Sequence, residues 1–541
     1  MSDNTNAGPP QPTEQPRRWL TGKRLLWVGL LIVLVLLAAA AYWPVDYSLK
    51  VSPETTYLTG PLREDGTVDY VEALRRLGAD HIATDQNSVR LFAQAFGPDW
   101  WVPHVLHDAL TELGLSPLPA GGDYFVSFRK FVETLPADQQ EFVDADGNEL
   151  DTYEFLAMAR KTPWSADQYP RITQWLADID GPLALIVQGA EEPHFCLPIV
   201  PRDAEGLYTV LLPVVGRLRD AAKALGARAM LRAARGDIDG ARADLLACHR
   251  MGRLVERDWI LISYLVGISI DTMAHDGDLA LLRTGRLSRE QTAAILADLR
   301  ALPPVRPVAD NLQQGERLFI LDAIQQLAGS AASRSTGFME LDTIGRRNVN
   351  WNIPLRMANK SWGDMIAAMG KADYGERRLA SQQWERDNEE WLYPKGLAAS
   401  NKPIDRLLYV AKLAALRLSG NFGRPRLSRM TGVAVMRILF PSLNRSRDFE
   451  ERLRTWDELT KLALALSLYK HDHGQYPDDL AALAGEYLPA VFKDRFTGDP
   501  LHYQRLGQGF LLYSVGRNQT DDGGLNADGE PADDDLVVHI K

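Results

Sequence analysis

The apolar stretch Leu25–Trp43 constrains this chain more than any other feature. It contains no Asp, Glu, Lys or Arg, and about 20 apolar residues in a helix are enough to span the hydrocarbon core of a bilayer. Arg17, Arg18, Lys23 and Arg24 precede the stretch. Residues 25–43 are therefore predicted to form a transmembrane helix. The positive charge before it predicts that residues 1–24 lie in the cytoplasm, as a disordered tail, and that the remaining chain lies outside the cytoplasm.

A cleaved signal peptide is the alternative interpretation of the same stretch. Leu25–Leu37 would then be the apolar core of the signal, and Ala38–Ala41 would supply the small residues of a cleavage site. The long segment before it and the full spanning length favour a retained signal anchor. Both interpretations place the bulk of the protein in the periplasm or an equivalent extracytoplasmic space.

Charge and cysteine content restrict the possible partners and cross-links. The formal net charge is −11, so a general attraction to nucleic acid is not expected. Cys196 and Cys248 are the only cysteines, which excludes a disulfide framework or a cysteine-rich metal site. One disulfide bond or two free thiols are both compatible with the sequence.

The region between the anchor and residue 451 is predicted to be helical, with short helices in its first part and longer helices in its second. Residues 44–204 are rich in Pro, Gly and aromatic residues, which favours short helices joined by loops; within them Leu183–Val187 fits either a buried helix or a strand. Residues 205–451 form the predicted α-helical body. Its clearest helices are predicted at Leu218–Ala234, Ile238–Val255, Ile260–Leu282 and Arg289–Leu299. The apolar segment Trp259–Ala274 is short for a bilayer and includes Asp271, so it is predicted as a core helix.

A different pattern begins near Arg452 and predicts a small α+β module over residues 452–541. The helix Thr455–Lys470 is followed by three apolar stretches, at Leu501–Leu506, Phe510–Val515 and Leu536–Ile540, whose spacing is typical of an antiparallel sheet. The predicted fold is therefore mainly α. It comprises a single N-terminal transmembrane helix, a large α-helical extracytoplasmic body and a small C-terminal α+β module with an antiparallel sheet.

An acidic loop separates the last two predicted strands. Its acidic residues are Asp521, Asp522, Asp528, Glu530, Asp533, Asp534 and Asp535, against the single basic residue Arg517. Carboxylates this close in sequence repel one another unless water or a cation compensates their charge.

The C-terminal module resembles the globular domain of the major pseudopilins of type II secretion systems. The segments that carry the resemblance are His473–Pro477, Asp499–Tyr503, Tyr513–Gly516 and Asp521–Gly524. That family folds a long helix against a small sheet and binds calcium in the loop before its last strand. The resemblance implies a structural Ca²⁺ site here, with ligands drawn from Asn518, Asp521, Asp522, Asp533, Asp534 and Asp535. Such a set suits Ca²⁺, which takes about 6–8 oxygen ligands.

The resemblance also has clear departures. Asn518 stands where the family usually has aspartate, and a pilin anchor helix runs directly into its globular fold, whereas here residues 44–451 intervene. The chain is therefore not expected to be a pilus subunit. As a whole it also resembles single-span exported proteins of bacteria, which implies no particular activity.

No catalytic residue is predicted. The sequence has no Walker A loop, GxSxG elbow or dinucleotide fingerprint, and His104 and His107 lack the spacing of a zinc-protease helix. We expect a membrane-anchored extracytoplasmic protein with a binding or assembly role, whose partners are the lipid bilayer and a protein or other component of the cell envelope. The alternatives are an exported all-α hydrolase or lyase with its active site in the helical body, and an accessory protein of a secretion system.

Overall fold

The computed structural model describes most of the chain, and it is mainly helical with a small antiparallel sheet at the C-terminal end. The described residues are 22–43, 45–78, 84–143, 147–200, 206–207, 213–329, 349–389, 412, 415–416, 418–439, 443–525 and 534–541. Residues 1–21 of the predicted cytoplasmic tail lie outside them, whereas residues 22–24 of that tail belong to the first helix.

The helices follow the predicted order. Those of the first half are α1 Gly22–Tyr42, α2 Tyr70–Gly78, α3 Ser88–Phe96, α4 Leu106–Glu112, α5 Phe128–Glu133, α6 Thr152–Lys161, α7 Pro170–Asp178 and α8 Asp180–Gly189. The helical body contains α9 Pro213–Ala234, α10 Ile238–Val255, α11 Leu261–Arg283, α12 Arg289–Ala301, α13 Val308–Asn311, a π-helical turn Leu312–Glu316, α14 Arg317–Gly329, α15 Asn352–Met369, α16 Tyr374–Asp387, α17 Arg424–Leu439 and α18 Leu443–His473. A two-stranded ribbon, β1 Phe142–Val143 with β2 Glu149–Leu150, was not predicted.

The run Leu183–Val187, for which the sequence left two interpretations open, is helical. It forms the middle of α8, where Leu183 and Ile186 are buried one helical turn apart. The predicted core helix over Trp259–Ala274 is also confirmed, because it becomes the first part of α11.

The C-terminal sheet has the predicted strands in the order β3-β4-β5, all antiparallel. The strands are β3 His502–Leu506, β4 Gly509–Ser514 and β5 Leu536–Ile540, with His502 opposite Tyr513 and Phe510 opposite Ile540. Gly507 has a φ of 58° in the turn between β3 and β4, a conformation that favours glycine.

Helix α18 connects this sheet to the helical body. It begins at Leu443, whereas the sequence predicted a start at Thr455, so the expected module boundary at residue 452 lies inside one continuous helix. The first part of α18 contributes Leu453 to the apolar core around α13–α17, and its second part contributes Leu459 and Leu466 to the core shared with the sheet. Helix α11 is divided between the same two cores, so these two long helices join them.

A buried cluster of charged side chains strengthens the connection made by α18. Glu451 is fully buried and accepts hydrogen bonds from Arg377 Nη2 of α16 at 2.5 Å and from Arg495 Nε at 3.0 Å. Arg495 lies in the segment before β3 and also donates to Glu458 at 2.7 Å. Buried charges are tolerated when they are paired in this way.

Helices α10 and α11 cross at backbone contact, because glycine occupies the crossing point on both. A Cβ atom added at Gly267 would lie 2.5 Å from the amide nitrogen of Glu256 and 2.7 Å from the carbonyl oxygen of Gly252. A Cβ atom at Gly252 would lie 2.9 Å from the carbonyl oxygen of Gly267. The crossing brings polar residues of both helices together in the interior.

Helix α1 contacts the rest of the described chain near its C-terminal end. Asn421, in the 3₁₀ turn Gly420–Phe422, donates hydrogen bonds to the carbonyl oxygens of Ala40 at 3.1 Å and Trp43 at 2.8 Å. Within the part of the chain that the structure describes, no helix has both the length and the hydropathy of a membrane span.

Candidate functional site

The structure places most of the predicted calcium ligands around the two ends of the acidic loop. Asn518, Asp521 and Asp522 follow β4, and Asp534 and Asp535 immediately precede β5. Asp533 lies outside the described residues, as do the other acidic residues of the loop.

Hydrogen bonds hold the two ends of the loop against each other. The backbone N–H of Asn518 donates to Asp534 Oδ2 at 2.8 Å, and the backbone N–H of Gly524 donates to Asp535 Oδ2 at 2.8 Å. On the first end, Asn518 Nδ2 donates to Asp522 Oδ2 at 2.8 Å.

Asp521 is fixed from the sheet side. Its Oδ1 accepts hydrogen bonds from the Tyr513 hydroxyl at 3.0 Å and from the backbone N–H of Gly523 at 2.9 Å. The backbone bond to Gly523 is the main reason why the pKa of Asp521 is lowered from its usual value. The carboxylate is therefore charged and oriented.

Asp535 is the most buried carboxylate of this group, with 4% of its surface exposed. Burial raises its pKa, and the nearby charges of Asp522, Asp521 and Asp534 raise it further. The Oδ1 atoms of Asp534 and Asp535 are both buried without a hydrogen-bond partner. These carboxylates therefore repel one another, and two of their oxygen atoms have no hydrogen-bond partner. A bound cation would offset the repulsion and contact the unpartnered oxygens.

A second polar group, which the sequence did not predict as a site, lies at the crossing of α10 and α11. His249 of α10 is placed between two carboxylates of α11: its Nδ1 is 2.5 Å from Asp271 Oδ1, and its Nε2 is 3.0 Å from Asp278 Oδ2. His275 of α11 packs edge-on against the His249 ring, with 4.5 Å between the ring centroids. We call these four residues the helix-crossing cluster.

Helix α18 closes the cluster on its far side. Arg253 Nε lies 3.0 Å from Asp271 Oδ2, and Arg253 Nη2 lies 3.5 Å from Asp457 Oδ1. His275 Nε2 is 3.8 Å from the same Asp457 oxygen, which is beyond hydrogen-bond distance. Neither ring nitrogen of His275 has a hydrogen-bond partner.

The pKa values of the two buried histidines are shifted in opposite directions. Burial would lower the pKa of His249, but its hydrogen bonds to Asp271 and Asp278 outweigh that effect and raise the pKa to about 9. Burial and the neighbouring His249 hold the pKa of His275 well below its usual value. His275 is therefore neutral, and His249 without a metal is an imidazolium.

The distances make the helix-crossing cluster the best-assembled metal-ligand geometry of the described residues. Among their His, Cys, Asp and Glu side chains, one ligand atom each from His249, His275 and Asp278 all lie within 4.8 Å of one another. The described carboxylates of the acidic loop do not form such a group by themselves, and Ca²⁺ also uses amide and carbonyl oxygens.

One sequence signal could have revealed the helix-crossing cluster. Asp271, His275 and Asp278 are spaced four and three residues apart in a largely apolar helix, so they share one face. Asp271 entered the sequence argument only as a reason against a membrane span. A partner on α10 could not be identified without knowing how the two helices cross.

The two cysteines are free thiols. Burial raises the pKa of Cys196 to about 12, so it is not a reactive thiolate. Cys248 is buried beside the carbonyl oxygen of Ala222 and takes no part in the helix-crossing cluster.

No family model, curated protein or solved structure matches this chain. The resemblance to pseudopilins therefore stays a prediction from the quoted segments, and function has to be argued from the site geometry.

Proposed function

We propose that this protein is a membrane-anchored extracytoplasmic binding or assembly protein whose C-terminal module is stabilised by a structural Ca²⁺ ion. The observation that carries the proposal is the position of Asp535. Its carboxylate is buried, has one unpartnered oxygen and lies within the field of Asp521, Asp522 and Asp534.

Calcium fits this position for a chemical reason. The loop ends offer carboxylate oxygens from four aspartates and the side-chain oxygen of Asn518, and hard oxygen ligands of this kind are those that Ca²⁺ prefers. Its charge would offset the mutual repulsion of the carboxylates. The bound ion would fix the start of β5 to the end of β4 and so stabilise the sheet.

The proposed membrane anchor rests on the surface of α1. Its described apolar side chains at Trp27, Val28 and Leu30–Leu37 are between 44% and 67% exposed. Apolar side chains gathered on one exposed helix mark a membrane or protein interaction site. The Lys and Arg residues before the apolar stretch favour the bilayer, with the body outside the cytoplasm.

The calcium proposal is tested on the full chain in detergent, by measuring the free energy of unfolding with calcium and with excess chelator. At a calcium concentration about tenfold above Kd, we expect stabilisation by about 1.4 kcal/mol. Asp535→Asn and Asp521→Asn should abolish the difference between calcium and chelator. Asp499→Asn, at an exposed aspartate outside the loop, should retain it.

Two results would contradict this part of the proposal. One is an unfolding curve that does not change between millimolar calcium and chelator. The other is a calcium response in Asp535→Asn that equals that of the wild-type protein.

The anchor proposal has a separate test. Membranes from expressing cells are extracted with alkaline carbonate, and intact cells or spheroplasts are treated with protease. We expect the protein to stay in the membrane pellet and its body to be digested from outside. Release into the supernatant would contradict the anchor, and protection from external protease would contradict the orientation.

The rival proposal of an exported enzyme requires an open cleft lined by convergent acid or histidine side chains. The convergent groups of the helix-crossing cluster are instead sealed in the interior. A described cavity of about 190 Å³ lies elsewhere, between α18 and the sheet, and is lined by residues that include Arg452, Phe496 and Asp534. It is smaller than the ~300–1,000 Å³ usual for ligand sites, so this cavity does not supply the cleft that the rival proposal requires.

The accessory role in a secretion system depends on the resemblance of the C-terminal module alone. Co-purification with pseudopilus components from a native membrane would support it. A protein that purifies without them under the same conditions would count against it.

A further inference from the structure

We propose that the helix-crossing cluster is a structural zinc site, in which His249, His275 and Asp278 are the ligands and Asp271 positions His249. The site is independent of the proposed calcium loop, because it lies in the helical body and uses nitrogen donors.

The donor atoms are already close to a metal-binding arrangement. His249 Nε2 and Asp278 Oδ2 are 3.0 Å apart, and one atom from each of the three ligands lies within 4.8 Å of the others. Two ligands at zinc bond lengths of about 2.0–2.1 Å in a tetrahedron are about 3.3 Å apart. Small rotations of the side chains would therefore complete the geometry, and a water molecule would take the fourth position.

His275 gives the strongest indication of a missing partner. Its side chain is fully buried, and neither ring nitrogen donates or accepts a hydrogen bond. Leaving a buried polar group unpaired is destabilising. A metal ion bound to one ring nitrogen would remove much of that penalty.

Asp271 prepares His249 for metal binding. Its Oδ1 lies 2.5 Å from His249 Nδ1, so that nitrogen keeps its proton and Nε2 is left to bind the metal. A carboxylate that accepts from the second nitrogen of a metal-bound histidine is common, and it fixes both the tautomer and the ring orientation.

The charge of the cluster accommodates a divalent cation in place of the imidazolium proton. Asp271 and Asp278 are both buried, and Arg253 is the guanidinium that contacts Asp271. When the ion binds, His249 Nε2 loses its proton to solvent and the metal takes its place beside Asp278. The local positive charge then rises by one, and both carboxylates remain compensated.

The donor set excludes the ions that prefer oxygen, and the burial indicates a structural role. Two imidazoles and one carboxylate suit Zn²⁺ and not Ca²⁺ or Mg²⁺, which prefer oxygen. The side chains of His249, His275 and Asp278 are 1%, 0% and 3% exposed, so no substrate reaches the ion. Its role would be to fasten α10 to α11 at their crossing.

The test is the metal content of the full chain, expressed with zinc supplementation and purified in detergent without chelator. We expect close to stoichiometric zinc in the wild-type protein. His275→Gln and Asp278→Asn should reduce it to background, with retention of the helical circular dichroism spectrum checked for each. His104→Gln, which removes an exposed histidine, should leave the zinc content unchanged, and so should Asp535→Asn in the acidic loop.

A second measurement decides the matter if the ligand variants fail to fold. Wild-type protein refolded with Co²⁺ in place of zinc should show the visible absorption bands of a tetrahedral site. A folded wild-type protein that contains only background zinc after refolding with excess zinc, and shows no such bands with cobalt, would overturn the proposal. The cluster would then be a hydrogen-bonded imidazolium between two carboxylates.

Discussion

A methyl group added at Gly267 should force α10 and α11 apart and destabilise the helical body. The new Cβ atom would lie 2.5 Å from the amide nitrogen of Glu256, whereas ordinary contacts begin at 3.4 Å. The helices would therefore have to separate by up to 3.4 − 2.5 = 0.9 Å at this point. Both nearest atoms are backbone atoms of α10 or of Glu256, which directly follows it, so no side chain can rotate away to relieve the contact.

The expected magnitude combines two opposing effects. Overpacking of a core costs typically 1–3 kcal/mol, and contact with backbone places Gly267→Ala at the upper end of that range. Alanine is better than glycine in a helix interior by about 1 kcal/mol. The net destabilisation should therefore be about 2 kcal/mol.

The matched control is the same substitution at Gly216 in α9. A Cβ atom there has no neighbouring atom within 4 Å, so Gly216→Ala should be neutral or stabilising by up to about 1 kcal/mol. Urea unfolding of the full chain in detergent, followed by circular dichroism, measures both. The reasoning would be refuted if Gly267→Ala proved as stable as Gly216→Ala.

Two further predictions concern the buried charges of α18. Glu451→Gln should destabilise the protein by about 3–5 kcal/mol, because Arg377 and Arg495 would lose a buried counter-charge. Urea unfolding measures this loss, and Glu486→Gln, at an exposed position, should have little effect. Equal stabilities of the two variants would contradict the prediction. Burial raises the pKa of Glu458 from 4.5 to about 7, although Arg495 opposes the shift. The folded protein then holds a proton that the unfolded chain releases, so the stability that Glu458 contributes should fall as pH rises from 4.5 to 7. Unfolding free energies across this range should decline less steeply in Glu458→Gln, and an unchanged slope would contradict the assignment.

Much of the helical body could be predicted from local signals. Apolar residues at helical spacing identified α9 to α12, and the turn between α9 and α10 is marked by Gly236, which has a φ of 83°. The alternation of strands and turns identified β3, β4 and β5. These elements are specified by residues near one another in sequence, so no knowledge of the tertiary fold was needed.

Helix α18 shows where local signals fail. Its first turns, from Leu443 to Arg454, are rich in charged residues and have no clear apolar face. In the structure, Glu450 and Glu451 of this part pair in the interior with Arg377 of α16. Such pairing between distant segments is not visible in the periodicity of one helix.

The two candidate sites also differ in how far local sequence predicts them. The acidic loop is contiguous in sequence, so its carboxylates could be predicted as candidate ligands. The burial of Asp535 among them could not be predicted. The helix-crossing cluster joins His249 to residues 22 to 29 positions further on, and it depends on the glycine crossing. Charged residues in a helix usually indicate a solvent-exposed face, whereas here they form a buried site.

The most direct test of the proposed function is calcium binding to the full chain, measured by titration calorimetry in detergent. We expect one saturable calcium site per chain, with wild-type affinity in Asp499→Asn and no measurable binding in the double variant Asp521→Asn, Asp535→Asn. If the wild-type protein shows no saturable binding at millimolar calcium, or if the double variant binds as the wild-type protein does, the calcium loop is not the site we propose.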